Sequence, residues 1–441
     1  MSLAYRLQKW QWDLASNLLV RPFVVVALGV GLGAALPACE AIVGVHPLFA
    51  AVRSWIGAEP GSAQVLLATL AGAMATVVSM VYSILLVALS LASMQFSTRI
   101  LANFVRDARS QWTLGLLVGT FAYCLVVLRS IRTDPPWVPS LSVSVAVGLA
   151  LVALGALIWF IDHIARGIQA NHLVDRIAEG SERAVDDLHD DLAVQGTPLA
   201  AAERPALDIT VRARASGYVQ LLDTEALADV AHEGWHLAIG PAVGQFVARG
   251  AVLARAAPAR ADTAAGCREG AALPPALENR LHDAVDIGPE RTNQQDAAWG
   301  FRQIVDIALK AISPAINDPS TACTCLDHLG RLLLHAEGRL PAQGIVGVGT
   351  GSVEVRVARL EDLVDLSFEQ IRQYGASDLA VSLRMLRVMG DVAERTEDPS
   401  VRARVGHHAR LLVAKTRSAH VPADCDELDR RMARVEDALR G

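Results

Sequence analysis

The chain has 441 residues, 52% of them hydrophobic and only 20% charged, and its mean hydropathy is +0.33. That balance excludes a disordered chain and is too apolar for an ordinary soluble protein. Net charge is −6, from 40 basic against 46 acidic residues, which leaves no broad electropositive surface for nucleic acid. The six cysteines are too sparse for a disulfide scaffold.

The apolar excess is concentrated in four uncharged stretches: Pro22 to Cys39, Val65 to Thr98, Ser110 to Leu128 and Pro135 to Ile161. Each approaches or exceeds the ~20 residues that carry a helix across a ~30 Å hydrocarbon layer. The polar, Trp-containing segment before the first stretch and the lack of a small-residue cleavage site after it point to a retained span rather than a removed leader. Arg6, Lys9 and Arg21 precede the first span, and Arg99, Arg106 and Arg109 follow the second. The first loop carries only Arg53, and the third only Arg129 and Arg132. By the positive-inside rule both termini face the cytoplasm. Trp55, Trp112, Trp137 and Trp159 fall near span ends, where amphipathic rings settle. Trp10 and Trp12 suit either a helix along the inner interface or a buried tail.

The second span is unusual. From Val65 to Thr98 it has no charge over 34 residues, roughly 51 Å if helical, so it tilts or projects beyond the bilayer. Thr69, Gly72, Thr76, Ser79, Ser83, Ser90, Ser93 and Ser97 follow helical steps and form one stripe. A stripe of small and hydroxyl groups either lets helices pack closely or lines a watery path in an oligomer. Either use predicts self-association or tight bundling around this helix, with ions as partners in the second. Arg99, Arg106 and Arg109 stand where this helix leaves the membrane; they either ring a pore mouth and favour anions or simply set topology. The span interiors hold no ionisable Asp, Glu, Lys, Arg or His, which excludes a proton-coupled carrier of the usual kind. Tyr82 and Tyr123 read as packed aromatics. Gly29 with Gly33, and Gly115 with Gly119, are Gly-x-x-x-Gly contact faces.

After Ile161 the chain becomes polar. A charged helix is expected from Asp162 to about Ala193, with Ile164, Ile168 and Ile177 as its seam. Beyond the break at Gly196 to Pro205, Ile209, Val211 and Ala213 alternate with Thr210, Arg212 and Arg214 as a strand. The texture of residues 207–258 looks like a biotinyl/lipoyl-type barrel, with no lysine at a turn to carry a cofactor.

Phe301, Ile304, Val305, Ala308, Leu309 and Ile312 give a buried helical face. Ser313 and Asp318, each before a proline, are expected N-caps. Val353, Val355 and Val357 alternate as a strand and half of a hairpin, followed by helices near 360–374, 378–394, 399–417 and 424–439. The organisation is thus an interfacial segment 1–21, a membrane domain 22–161, a juxtamembrane helix and linker 162–206, a small β-barrel-like domain 207–258 and a mainly helical domain 276–441. The fold class is membrane α-helical followed by a soluble α+β region with a small barrel or sandwich and a helical bundle.

His232-Glu233-Gly234-Trp235-His236 satisfies the His-Glu-x-x-His string of zinc hydrolases, but Gly234 interrupts the helix that such a site needs. Cys323 and Cys325 with His328 form a second metal-like string, in which a two-residue helical step points the thiols apart. Neither is assigned a metal, and no cofactor or catalytic residue is named.

Arg291-Thr292-Asn293-Gln294-Gln295-Asp296, Gly300-Phe301-Arg302-Gln303-Ile304-Val305-Asp306 and Ser313-Pro314-Ala315-Ile316-Asn317-Asp318-Pro319 together resemble a family of predicted bacterial inner-membrane proteins of unknown function. The four-span beginning and Gln370-Ile371-Arg372-Gln373-Tyr374-Gly375 extend the likeness over nearly the whole chain. It implies a bacterial inner-membrane location and names no activity. Arg291, Gln295, Asp296, Arg302, Asn317 and Asp318 either brace helices and turns or converge on a cytoplasmic ligand or subunit contact.

Overall fold

The computed structural model describes residues 20–43, 59–95, 108–167, 169–197, 207–258, 273–341, 345–348 and 353–440. Trp10, Trp12, Arg53, Trp55 and Ile168, on which some expectations rest, lie outside the described residues. The chain divides into a membrane unit up to Gln169 and a second unit from Ala170 onward.

Among the described residues four helices are long and apolar enough to cross a membrane: α1 (Val20–Val43), α2 (Pro60–Gln95), α3 (Ala108–Ser130) and α4 (Ser140–Gly167). A two-residue-per-strand hairpin, β1 (Arg132–Thr133) with β2 (Pro136–Trp137), joins α3 to α4. Glycine decides how α1 meets α3. An ideal Cβ on Gly29 would lie 2.6 Å from the Gly119 carbonyl oxygen, and one on Gly115 would lie 3.0 Å from Pro22 Cα. Gly33 likewise faces the Tyr123 carbonyl at 3.2 Å. The two Gly-x-x-x-Gly pairs therefore pack on each other in parallel helices, where any side chain would hold the backbones apart.

At the far end of this pair, Glu40 of α1 meets the first turn of α4. Its carboxyl oxygens accept from Leu141 N at 3.1 Å, Ser142 N at 2.7 Å and Ser142 Oγ at 2.5 Å. Helix-start N–H groups have no partner in their own helix, and lipid supplies none. Tyr123 Oη donates to Ser142 O at 2.9 Å, so buried Tyr123 ties α3 to the same turn. Tyr82, by contrast, is exposed on this chain.

The second unit opens with α5 (Ala170–Gln195), whose charged sequence runs separately from α4. The expected seam is accordingly divided: Ile164 is buried within the membrane unit and Ile177 within the second unit. The β-rich region comprises β3 (Gly196–Thr197), β4 (Ile209–Arg212), β5 (Gly217–Leu222), β6 (Trp235–Ile239), β7 (Phe246–Val247) and β8 (Val252–Pro258), with α6 (Thr224–His232) between β5 and β6. Three later strands join them: β9 (Val285–Gly288), which follows α7 (Pro275–Ala284), then β10 (Ile345–Val348) and β11 (Val353–Arg356). Among the described residues one sheet has the order β3-β10-β11-β6-β8-β4 and the other β7-β5-β9. The sheets remain open and close no barrel. The alternation of Ile209, Val211 and Ala213 with exposed Thr210, Arg212 and Arg214 holds, and it buries one face of β4 against Leu237, Leu253, Leu281 and Val353.

The helices are α8 (Ala297–Ala311), α9 (Pro319–Ala336), α10 (Leu360–Gly375), α11 (Leu379–Arg395), α12 (Pro399–Ala419) and α13 (Pro422–Arg440). Their starts are written in aspartate. Asp318, Asp378 and Asp398 accept from the backbone N–H groups of Thr321, Val381 and Ser400 at 3.1, 3.0 and 2.8 Å. Ser313 does not cap a helix: residues 312–316 form turns, and its hydroxyl donates to Lys310 O at 2.6 Å. The hydroxyl thus joins the Ser313 backbone N–H on a carbonyl at the end of α8 instead.

Two predictions follow from these contacts. Gly29→Leu should lower the thermal midpoint of the purified protein in detergent by several degrees, an overpacking cost of about 1–3 kcal/mol, whereas Gly31→Leu, whose Cβ meets nothing within 4 Å, should leave it unchanged. Hydrogen bonds from Ser400 hold the Asp398 carboxyl below its ordinary pKa. Its capping stability is therefore complete above the unfolded value of about 3.9 and lost as pH falls through the folded value. Asp398→Ala should cost about 1 kcal/mol at neutral pH, with the difference from wild type shrinking in denaturation curves taken below that unfolded value.

Candidate functional site

On α2, Ala63, Leu67, Ala71, Met74, Val81 and Ala88 are buried against the other spans. Thr69, Gly72, Thr76, Ser79, Ser83 and Ser90 are all exposed on this chain. At about 100° per residue they lie nearly opposite the buried row. Exposed Met80, Ile84, Val87 and Leu91 flank the stripe on one side and Tyr82 with Leu86 on the other, leaving a shallow furrow between bulky apolar ridges. Thr69 and Thr76 donate to the carbonyls of Val65 and Gly72 at 2.7 and 3.0 Å. Ser79 and Ser83 do the same to Ala75 and Ser79 at 3.0 and 2.9 Å. The Ser93 side chain, Ser97, Arg99 and Arg106 lie outside the described residues. Arg109 is described: its guanidinium lies over the Trp159 ring of α4, 5.8 Å from the centroid.

The polar motif in the second unit is only partly assembled. Arg291, Gln295 and Asp296 come together just before α8. Arg291 Nε and Nη2 both contact Asp296 Oδ2, at 2.8 and 2.6 Å, and the guanidinium stacks 4.6 Å from the Trp299 ring centre. Asp296 is buried; burial pushes its carboxyl above the ordinary range while Arg291 pulls the other way. Gln295 acts as an extra rung of sheet. Its amide oxygen accepts from Leu222 N at 2.9 Å and its amide nitrogen donates to Leu222 O at 3.2 Å, while Thr292 Oγ1 donates to Gln220 O at 3.1 Å.

Arg302 pairs with Asp306 on its own helix at 3.0 Å. Asn317 and Asp318 sit beyond the other end of α8, where Asn317 takes a positive φ of 50° and Asp318 starts α9. The 15 residues of α8 put roughly 22 Å between the two ends, so the six residues do not converge on one point.

A cavity of about 250 Å³ opens beside the first group, with Arg291, Gln295, Asp296, Thr224, Arg356 and Asp362 as its polar lining. Leu188, Leu222, Val243, Val355 and Val357 supply apolar wall. Arg356 and Asp362 escape a motif reading because they lie more than 50 residues later in the chain. Gly244 adjoins the ion pair with a φ of +82°, and an ideal Cβ there would lie 2.0 Å from Asp296 Oδ2.

The His-Glu-x-x-His string spans a corner. α6 ends at His232, Gly234 takes a φ of 90°, and His236 belongs to β6, so the histidines are not one helical turn apart. Glu233 pairs with Arg280. Cys325 is buried on α9 and burial raises its thiol pKa, while the half-buried Cys323 lies 3.8 Å from the Ala380 carbonyl.

These features define a multi-spanning membrane protein carrying a soluble α+β domain. The chain belongs to the predicted membrane protein family DUF2254, whose model matches residues 15–391. It is 30% identical over 420 residues to an uncharacterized protein of Mycobacterium bovis and to uncharacterized proteins of two Mycobacterium tuberculosis strains. In each case the match covers 94% of this chain and 78% of the relative. No solved structure matches it.

Gly244→Ala should destabilise the protein by about 1–3 kcal/mol, because both its backbone angle and the adjoining carboxylate exclude a side chain. Thermal unfolding should show this loss, and Gly250→Ala should show the backbone part alone, since φ there is +86° with open space around it.

Proposed function

We propose that this protein self-associates in the bacterial inner membrane through the hydroxyl-striped face of α2, and that in the assembly this face borders a path for ions governed by the soluble domain. One observation carries the reading: the six described stripe residues lie on the side of α2 that no other helix covers among the described residues. Lipid-facing helices ordinarily present large apolar side chains, and small residues mark helix contacts. The furrow between Ile84 and Leu86 admits a neighbouring helix. Hydroxyls already bonded to their own carbonyls tolerate either a dry contact or water. The loop arginines support cytoplasmic termini. Arg109, engaged with Trp159, serves as an interfacial anchor, with anion selection at a pore mouth the alternative role.

A second reading, a non-conducting scaffold or signalling subunit, is favoured by those same self-satisfied hydroxyls, since close packing needs nothing more. Oxidative cross-linking in native membranes tests assembly: Ser83→Cys should yield covalent dimer well above the wild-type background, and Leu91→Cys on the flank should not. If Ser83→Cys gives no excess, self-association through this face is wrong. Purified wild-type protein in planar bilayers then separates the two readings. Unitary currents whose amplitude changes in Ser83→Leu support conduction, and silence leaves the scaffold.

A further inference from the structure

The geometry points to the cavity between α8 and β11 as a binding site for a small organic anion, a carboxylate or phosphate group on a compact apolar body. The inference is independent of self-association. Charge bookkeeping around the cavity sets the sign of the ligand. Asp296 is committed to Arg291, and Asp362 is held by Arg359 through two bonds, 2.9 Å from Nε and 2.8 Å from Nη2. Arg356 is different: among the described residues its guanidinium has neither an ion-pair nor a hydrogen-bond partner. Its guanidinium leaves five N–H donors in a planar fork, the arrangement that carboxylates and phosphates match. Arg291 spends two nitrogens on Asp296 and keeps further donors for the same ligand.

The walls set the ligand's body. Leu222, Val243, Val355 and Val357 are apolar, and Ala297 and Ala298 are too small to fill the space in front of them. An engineered apolar cavity of about 150 Å³ takes up benzene. A space of about 250 Å³ therefore holds a single ring together with its acidic group. Its polar groups are pre-positioned: Gln295 is pinned to the Leu222 backbone and Arg291 lies against Trp299.

The test uses the full chain in nanodiscs, with benzoate, phenyl phosphate and the neutral benzyl alcohol as probes, titrated by calorimetry against empty nanodiscs. Saturable binding of benzoate or phenyl phosphate at millimolar concentrations or below is expected, and the anion that binds tighter identifies the headgroup. Arg356→Gln should weaken that binding about tenfold or more, with Arg356→Lys falling between. The exposed Arg356 makes both variants fold, which an unchanged thermal midpoint without probe would verify. Benzyl alcohol binding as tightly as the anions, no saturable binding of either anion, or unaltered affinity in Arg356→Gln would each overturn the proposal.

Discussion

Hydrocarbon offers a polar group no partner, and that constraint shapes every notable contact of the membrane unit. Four hydroxyls of α2 turn back onto carbonyls one turn earlier. The start of α4 would expose N–H groups, and Glu40 reaches across from α1 to satisfy two of them. Where no polar group needs satisfying, dispersion alone must hold helices together, and the glycines of α1 and α3 answer by bringing backbones into contact. Among the described residues α2 is the long apolar helix whose uncovered side carries a furrow of small groups rather than bulky apolar ones.

The second unit solves the same problem with side chains that imitate backbone. Gln295 completes a rung beside β5 with its amide, and Thr292 adds another bond to the same strand. Both residues come from the segment that leads into α8, so the segment is fastened in register before the helix begins. The pair of half-buried Arg291 with buried Asp296 then fixes the first turn, at a desolvation cost that only close geometry offsets. A polar cavity wall built this way is rigid, as ligand recognition requires.

Much of this was legible in the sequence because the physics that writes it is local. About twenty apolar residues make a span, glycines four apart make a contact face, and aspartate before proline starts a helix, as Asp318 and Asp398 do. The four final helices fall within a few residues of their expected ranges. Ser313 carried the same Ser-Pro signal as a cap and became a turn, since a nearby carbonyl competed for its hydroxyl.

Non-local features were not legible. The texture of residues 207–258 suggested a self-contained barrel, yet β6 pairs in parallel with β11 and β5 pairs with β9. Half of the polar motif assembled and half did not, because spacing along a chain does not say that α8 separates its members. Ala297 and Ala298 leave the cavity open with side chains whose small size writes no pattern, and nothing in the apolar stretch before Glu40 says that it meets the first turn of α4.

The parallel pairing of Val353 and Glu354 with Leu237 and Ala238 also orders events during synthesis. The strand from Trp235 to Ile239 leaves the ribosome more than a hundred residues before its neighbour does, while the spans ahead of it are already entering the bilayer. Until that neighbour emerges, one edge of β6 stays open, an invitation to wrong pairing. Nascent chains halted before residue 345 should accordingly be the form most in need of a chaperone.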